Sequence, residues 1–73
     1  MADAALRNRL KDARGELGFT QAELAARVGV SRKTINTVEN AVFVPSTILA
    51  LRLAAALGCK VEDLFSLPPE HGR

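Results

Sequence analysis

Two helix-length segments of this chain are separated by only a glycine and a valine, and no other feature constrains the fold as strongly. They lie in the run TQAELAARVGVSRKTINTVEN, residues 20–40. Apolar residues recur in it at three- and four-residue spacing, the pattern of amphipathic helices. The first segment opens on Thr20-Gln21-Ala22-Glu23, a capping box: the Thr20 hydroxyl can accept from the Glu23 amide while the Glu23 carboxylate accepts from the Thr20 amide. Gly29 closes it, where a left-handed C-cap is needed. The second opens on Ser31, a good N-cap. A link as short as Gly29-Val30 forces the two helices to cross steeply. Leu24, Ala25, Val28, Val30, Ile35 and Val38 then face inward together, with Ala25 small where the helices approach. This set at these offsets predicts a helix-turn-helix.

The rest of the chain is punctuated in the same way. A first helix is expected over about Ala4–Leu17, with Leu6, Leu10, Ala13 and Leu17 as its inner stripe and Arg7, Arg9, Lys11 and Arg14 as surface charge. Gly15 and Gly18 end it. A fourth helix opens at Ser46, after Pro45, and runs to Leu57 before Gly58. A short fifth lies around Val61–Phe65. Asp3–Leu6 and Phe65–Leu67 are a candidate pair of short strands. The expected organisation is all-α: one five-helix domain over residues 1–66 and a loose, proline-containing tail over 67–73.

Composition removes most other classes. One cysteine and one histidine among 73 residues build neither a disulfide framework nor a structural zinc site. An apolar fraction of 48% is too high for disorder, yet no apolar run approaches the roughly 18 residues of a membrane span. The N-terminus MADAALRNRL lacks a basic region followed by an apolar one, so the expectation is a cytoplasmic protein. No nucleophile–base pair, paired-carboxylate site or glycine-rich phosphate loop is visible, so neither an enzyme nor a cofactor or small-molecule ligand is expected. Glu62-Asp63 read as dipole-favouring acids in a first helical turn, Cys59 as a small hydrophobe and His71 as inert. The net charge of +2 is compatible with nucleic acid but ordinary for a small domain.

The residues 20–40, with NRLKDAR before them and PSTILALRLAAALGCKVEDLF after them, resemble the xenobiotic-response-element family that includes phage repressors and Cro. The resemblance spans about residues 6–66. It implies the five-helix, lambda-repressor-like fold and a homodimer on double-stranded DNA. The outer face of the second helix of such a pair enters the major groove. Here residues 31–40 place Arg32, Lys33, Asn36 and Thr37 on that face. Arg and Lys suit guanine O6 and N7, Asn suits adenine, and the Thr methyl suits thymine. The family's phosphate-holding position at the start of the preceding helix corresponds to Gln21. Thr20, Ser31, Asn40 and Ser46 are further phosphate candidates, since polar side chains beside helix N-termini suit that role.

Departures from the family are as informative. Relatives commonly read Glu-Asn-Gly-Lys-Tyr-x-Pro-Ser where this chain reads Glu39-Asn40-Ala41-Val42-Phe43-Val44-Pro45-Ser46. Without the glycine the left-handed cap is expected to shift to Asn40. Without the lysine one phosphate contact is lost. The apolar 41–44 loop either tucks into the core or joins a protein interface. Ile48 stands where relatives often carry a charge, and Thr47 where they often carry leucine. Arg52 is the only charge between Thr47 and Leu57, and a helix apolar all round must be covered on more than one side. A domain under about 70–80 residues rarely gains more than 3–5 kcal/mol from its core, so oligomerisation is expected, with Ile48, Leu51, Leu64 and Phe65 as dimer contacts. The resulting expectation is a sequence-specific transcriptional regulator, by preference a repressor, on a near-palindromic operator. A restriction–modification controller or antitoxin of the same fold, or a protein-interaction module using the apolar 41–57 surface, are the alternatives.

Overall fold

The computed structural model describes residues 6–69. Its elements are β1 (Arg7–Asn8), α1 (Leu10–Glu16), α2 (Gln21–Val28), α3 (Arg32–Glu39), α4 (Thr47–Leu57), α5 (Val61–Leu64) and β2 (Phe65–Ser66). Among the described residues the chain is mostly helical, with five helices as expected. The two short strands pair antiparallel, Arg7 opposite Ser66 and Asn8 opposite Phe65.

The helix-turn-helix forms as its caps dictate. Thr20 Oγ1 accepts from the Glu23 amide at 3.0 Å and Glu23 Oε1 from the Thr20 amide at 2.8 Å, which completes the capping box. Gly29 ends α2 in the left-handed region at φ 78°, a conformation that glycine adopts without steric penalty. Gly29 and Val30 both donate to the Ala25 carbonyl, so the reversal is locked over two residues. Ser31 Oγ then caps α3 by accepting from the Thr34 amide at 3.1 Å.

The core lies between the two crossed helices and α4. Leu10, Leu24, Ile35, Val38 and Leu53 are fully enclosed, with Leu64 1% exposed. On α4, Leu49, Ala50, Leu53, Ala54 and Leu57 face this core. The opposite side of α4 is open: Ile48 is 64% and Leu51 56% exposed.

Several expectations are corrected. The first helix starts at Leu10, not near Ala4, because the preceding residues join the two-stranded sheet and Asn8 ends that strand. Asn8 Oδ1 accepts from the Leu10 amide at 2.9 Å, and its Nδ2 donates to the Val38 carbonyl. This one side chain satisfies the first amide of α1 and ties that helix to α3. The strand pairing uses Arg7–Asn8; of the Asp3–Leu6 segment, residues 3–5 lie outside the described residues, as do 70–73 of the tail. Leu17 is 53% exposed, because α1 stops at Glu16 and the chain turns away through Gly18 at φ 76°. Phe19 packs against the core instead, with the Arg27 guanidinium 4.4 Å from its ring centre.

The left-handed cap of α3 falls on Ala41, at φ 61°, and not on Asn40. The hydrogen bonds explain this. The Val42 amide donates to Thr37 O at 2.9 Å and the Ala41 amide to Val38 O at 3.0 Å. This Schellman pair requires the positive φ one residue beyond the C-cap. Finally, Leu64 and Phe65 were expected on a dimer face, but they are 1% and 7% exposed within the chain. They pack in the core under α4, so they are withdrawn as interface residues.

Candidate nucleic-acid interface

The outer face of α3 carries the sequence-predicted readers in the order its helical pitch demands. Arg32 and Lys33 occupy the first turn and are exposed, as is Asn36 one turn later. Among the described residues neither Arg32 nor Lys33 takes part in a salt bridge, so both cations face outward uncompensated. Thr37 is half-buried, and its hydroxyl donates to the Thr34 carbonyl at 2.9 Å. It lines an open groove of about 380 Å³ with Ser31, Lys33, Thr34, Val42 and Phe43.

The structure gathers Gln21, Arg32, Asn36 and Asn40 into one polar network. Gln21 Nε2 donates to Asn36 Oδ1 at 3.2 Å and to Glu39 Oε1 at 3.0 Å. Arg32 Nη1 donates to Gln21 Oε1 at 3.2 Å. Asn40 Nδ2 donates to the Asn36 carbonyl at 2.9 Å and to Asn36 Oδ1 at 3.1 Å. Ser46 is not part of this network; its hydroxyl caps α4 by accepting from the Leu49 amide at 3.1 Å. The hydroxyls of Thr20 and Ser31 likewise serve as caps.

Two members of the network were not singled out from sequence. Glu39, its side chain 2% exposed, is clasped by Arg14, 15% exposed. Arg14 Nε donates to Glu39 Oε2 at 2.6 Å and Nη2 to Oε1 at 3.2 Å, while Nη1 donates to the Phe19 carbonyl at 2.8 Å. Arg14 is therefore structural, not surface charge. The hydrogen bond to Glu39 raises its pKa, against the opposing effect of burial. One sequence signal pointed this way: Glu39 sits in the last turn of α3, where a carboxylate opposes the helix dipole and needs specific donors. By contrast, Arg9 meets Glu16 at 3.7 Å with both side chains largely exposed, a pair that contributes little.

The apolar 41–44 loop does not tuck into the core. Val42 is 77%, Phe43 47% and Val44 68% exposed. With Ile48 and Leu51 it makes an apolar strip running from the end of α3 onto α4. A second groove, of about 300 Å³, lies along its far end between Leu6, Pro45, Thr47, Ala50, Leu51, Val61 and Phe65. Cys59 is half-buried beside α5, and burial, together with the Asp63 charge, pushes its thiol pKa up. Asp63 itself accepts from the Lys60 amide at 2.9 Å. Among the described residues no group of three or more His, Cys, Asp or Glu side chains is placed to hold a metal ion. No helix among them is long and apolar enough to cross a membrane.

A helix-turn-helix family profile matches residues 10–64, which contain all five helices. The chain belongs to the xenobiotic-response-element family of helix-turn-helix regulators. An uncharacterized HTH-type transcriptional regulator of Methanothermobacter thermautotrophicus is 51% identical over 69 residues, covering 93% of this chain and all of that protein. The HTH-type transcriptional regulator YgzD of Bacillus subtilis is 38% identical over 66 residues, 90% of this chain and all of YgzD. Among solved structures, the restriction–modification controller protein C.AhdI from Aeromonas hydrophila superimposes with a TM-score of 0.74 at 33% identity, covering 78% of this chain and 86% of that one.

As a helix-turn-helix transcriptional regulator the protein binds DNA and is not an enzyme. The polar network joins the exposed face of α3 to the start of α2. Both helices therefore present one surface.

Proposed function

We propose that this protein is a repressor that binds a near-palindromic operator as a homodimer, with α3 of each copy in the major groove. One observation carries the reading: Arg32, Lys33 and Asn36 project from α3, and Gln21, itself held by the Glu39–Arg14 pair, braces Arg32 and Asn36 from behind. Preorganised side chains lose less entropy on binding than free ones. Arg32 and Lys33 suit guanine acceptors. Thr37, whose hydroxyl hydrogen is engaged within α3, offers its methyl to thymine.

Phosphate contacts fall to Thr20, Ser31 and Ser46; Asn40 drops out, because both its side-chain hydrogens and its main-chain amide are engaged within its own helix end. Gln21 joins them through its backbone amide, because both hydrogens of its side-chain amide are engaged. The exposed Ile48 and Leu51 are the dimer contacts that remain after Leu64 and Phe65 are withdrawn. The two recognition helices would then reach successive major grooves about 34 Å apart. Repression follows from occupying a promoter, and the cytoplasm is where such an operator would be met.

Gel-shift titrations on a selected duplex library and on random duplex, at low and physiological salt, provide the check. The expected result is a tight palindromic site with half-sites one helical turn apart. Arg32→Ala and Lys33→Ala should each weaken the specific complex about fivefold or more, well beyond their effect on random duplex. Equal losses on both DNAs would remove these residues from base readout.

A further inference from the structure

We infer that Asn36 reads the major groove as a hydrogen-bond donor only, and that the base it selects is guanine. The inference rests on the DNA-binding reading of α3 and sharpens it. Asparagine is ordinarily matched to adenine, because its oxygen accepts from N6 while its nitrogen donates to N7. Here that oxygen is already occupied. Asn36 Oδ1 accepts from Gln21 Nε2 at 3.2 Å and from Asn40 Nδ2 at 3.1 Å. A carbonyl oxygen has two lone pairs, and both are engaged.

The orientation of each amide is set by partners that have no choice of polarity. Glu39 can only accept, so Gln21 must turn its nitrogen toward it. Arg32 can only donate, so the Gln21 oxygen must face Arg32. Rotating the Gln21 amide by half a turn would set oxygen against carboxylate and nitrogen against guanidinium. Asn40 is held independently, because its nitrogen also donates to the Asn36 main-chain carbonyl at 2.9 Å. With Gln21 and Asn40 both presenting nitrogen, Asn36 must present oxygen to them. Its own N–H groups have no acceptor among the described residues, and the side chain is exposed.

Adenine therefore meets Asn36 with an N6 donor against a donor. Thymine offers one acceptor. Guanine alone presents two acceptors and no donor along its major-groove edge. Arg32 and Lys33 are donors too, so all three exposed polar readers share one polarity. Glu39 and Arg14 touch no base in this arrangement; they act as positioning residues for the readout.

The experiment uses the full chain and a randomised duplex library, with Asn36→Ala beside the unaltered protein. The base pair whose preference disappears in Asn36→Ala is the one Asn36 reads. Guanine is expected there. Replacing that guanine by 7-deazaguanine should weaken the unaltered protein about fivefold or more and leave Asn36→Ala unaffected. Freeing the oxygen with Gln21→Ala plus Asn40→Ala should lower the preference for guanine over adenine at that pair about threefold or more, while pairs read by neither Asn36 nor Arg32, whose guanidinium Gln21 also holds, keep theirs. This ratio is unaffected by a general loss of affinity or fold. Adenine selected at the Asn36-dependent pair overturns the inference. So does an operator in which no pair depends on Asn36, although the regulator reading then survives. A library that yields no selected sequence removes both.

Discussion

Glu39 is where single side chains matter most. Its carboxylate accepts from Arg14 and Gln21 while almost wholly buried. Removing one partner of a buried pair leaves the other charge without compensation, which costs more than the intact pair contributes. Glu39→Ala should therefore lower unfolding free energy by about 3 kcal/mol, read from urea denaturation. The exposed Arg7→Ala should stay within about 0.5 kcal/mol. Equal effects at the two sites would mean that Glu39 is solvated in solution. Ala41 predicts the opposite sign. Its φ of 61° is a left-handed conformation that costs an L-residue roughly 1–2 kcal/mol. Ala41→Gly removes that strain but gives the unfolded chain more freedom. A net gain of about 0.5–1 kcal/mol is expected, visible as a higher Tm.

At the scale of elements, the helices are short and depend on their ends. α2 and α3 are eight residues each, below the length at which an isolated helix persists in water. The Thr20–Glu23 box, the Ser31 cap and the Schellman turn satisfy amides and carbonyls that would otherwise lack partners. Thr20→Ala should cost about 1 kcal/mol, measured by thermal melting. Glu23→Ala removes the reciprocal half of the same box, so the double variant should lose less than the sum of the two. Strict additivity would show that the halves act independently. The pair β1 and β2 contributes differently. Together with Asn8 it brings the start of α1 to the ends of α5 and α3.

For the whole molecule, the limiting quantity is apolar surface. Among the described residues thirteen apolar side chains form the core, and the strip from Val42 to Leu51 stays outside it. A second copy seated there would cover Ile48 and Leu51 and join two recognition helices. Ile48→Glu and Leu51→Glu lie outside the core, so the folded monomer should survive. Sedimentation should then show monomers, and operator affinity should fall about a hundredfold or more as two-site binding is lost. Unchanged dimers in both variants would place the interface elsewhere.

The features legible in the residues alone are those encoded over three or four positions. The caps at Thr20, Ser31 and Ser46, the turn at Gly29, the inward seam from Leu24 to Val38 and the outward position of Arg32, Lys33 and Asn36 all follow from local spacing. They can be read because a helix repeats every few residues and its ends have fixed chemical needs. Packing settled everything that joins distant segments. It pairs Arg14 with Glu39, pairs Arg7–Asn8 with Phe65–Ser66, and encloses Leu64 and Phe65 within the chain. It moves the left-handed residue to Ala41 because the Schellman bonds reach back to Thr37 and Val38. It also turns the Asn36 amide, because a carboxylate braced by another helix fixes the polarity of Gln21. Each of these depends on how the helices cross, and no local pattern of residues specifies which side chains a crossing brings within hydrogen-bonding distance.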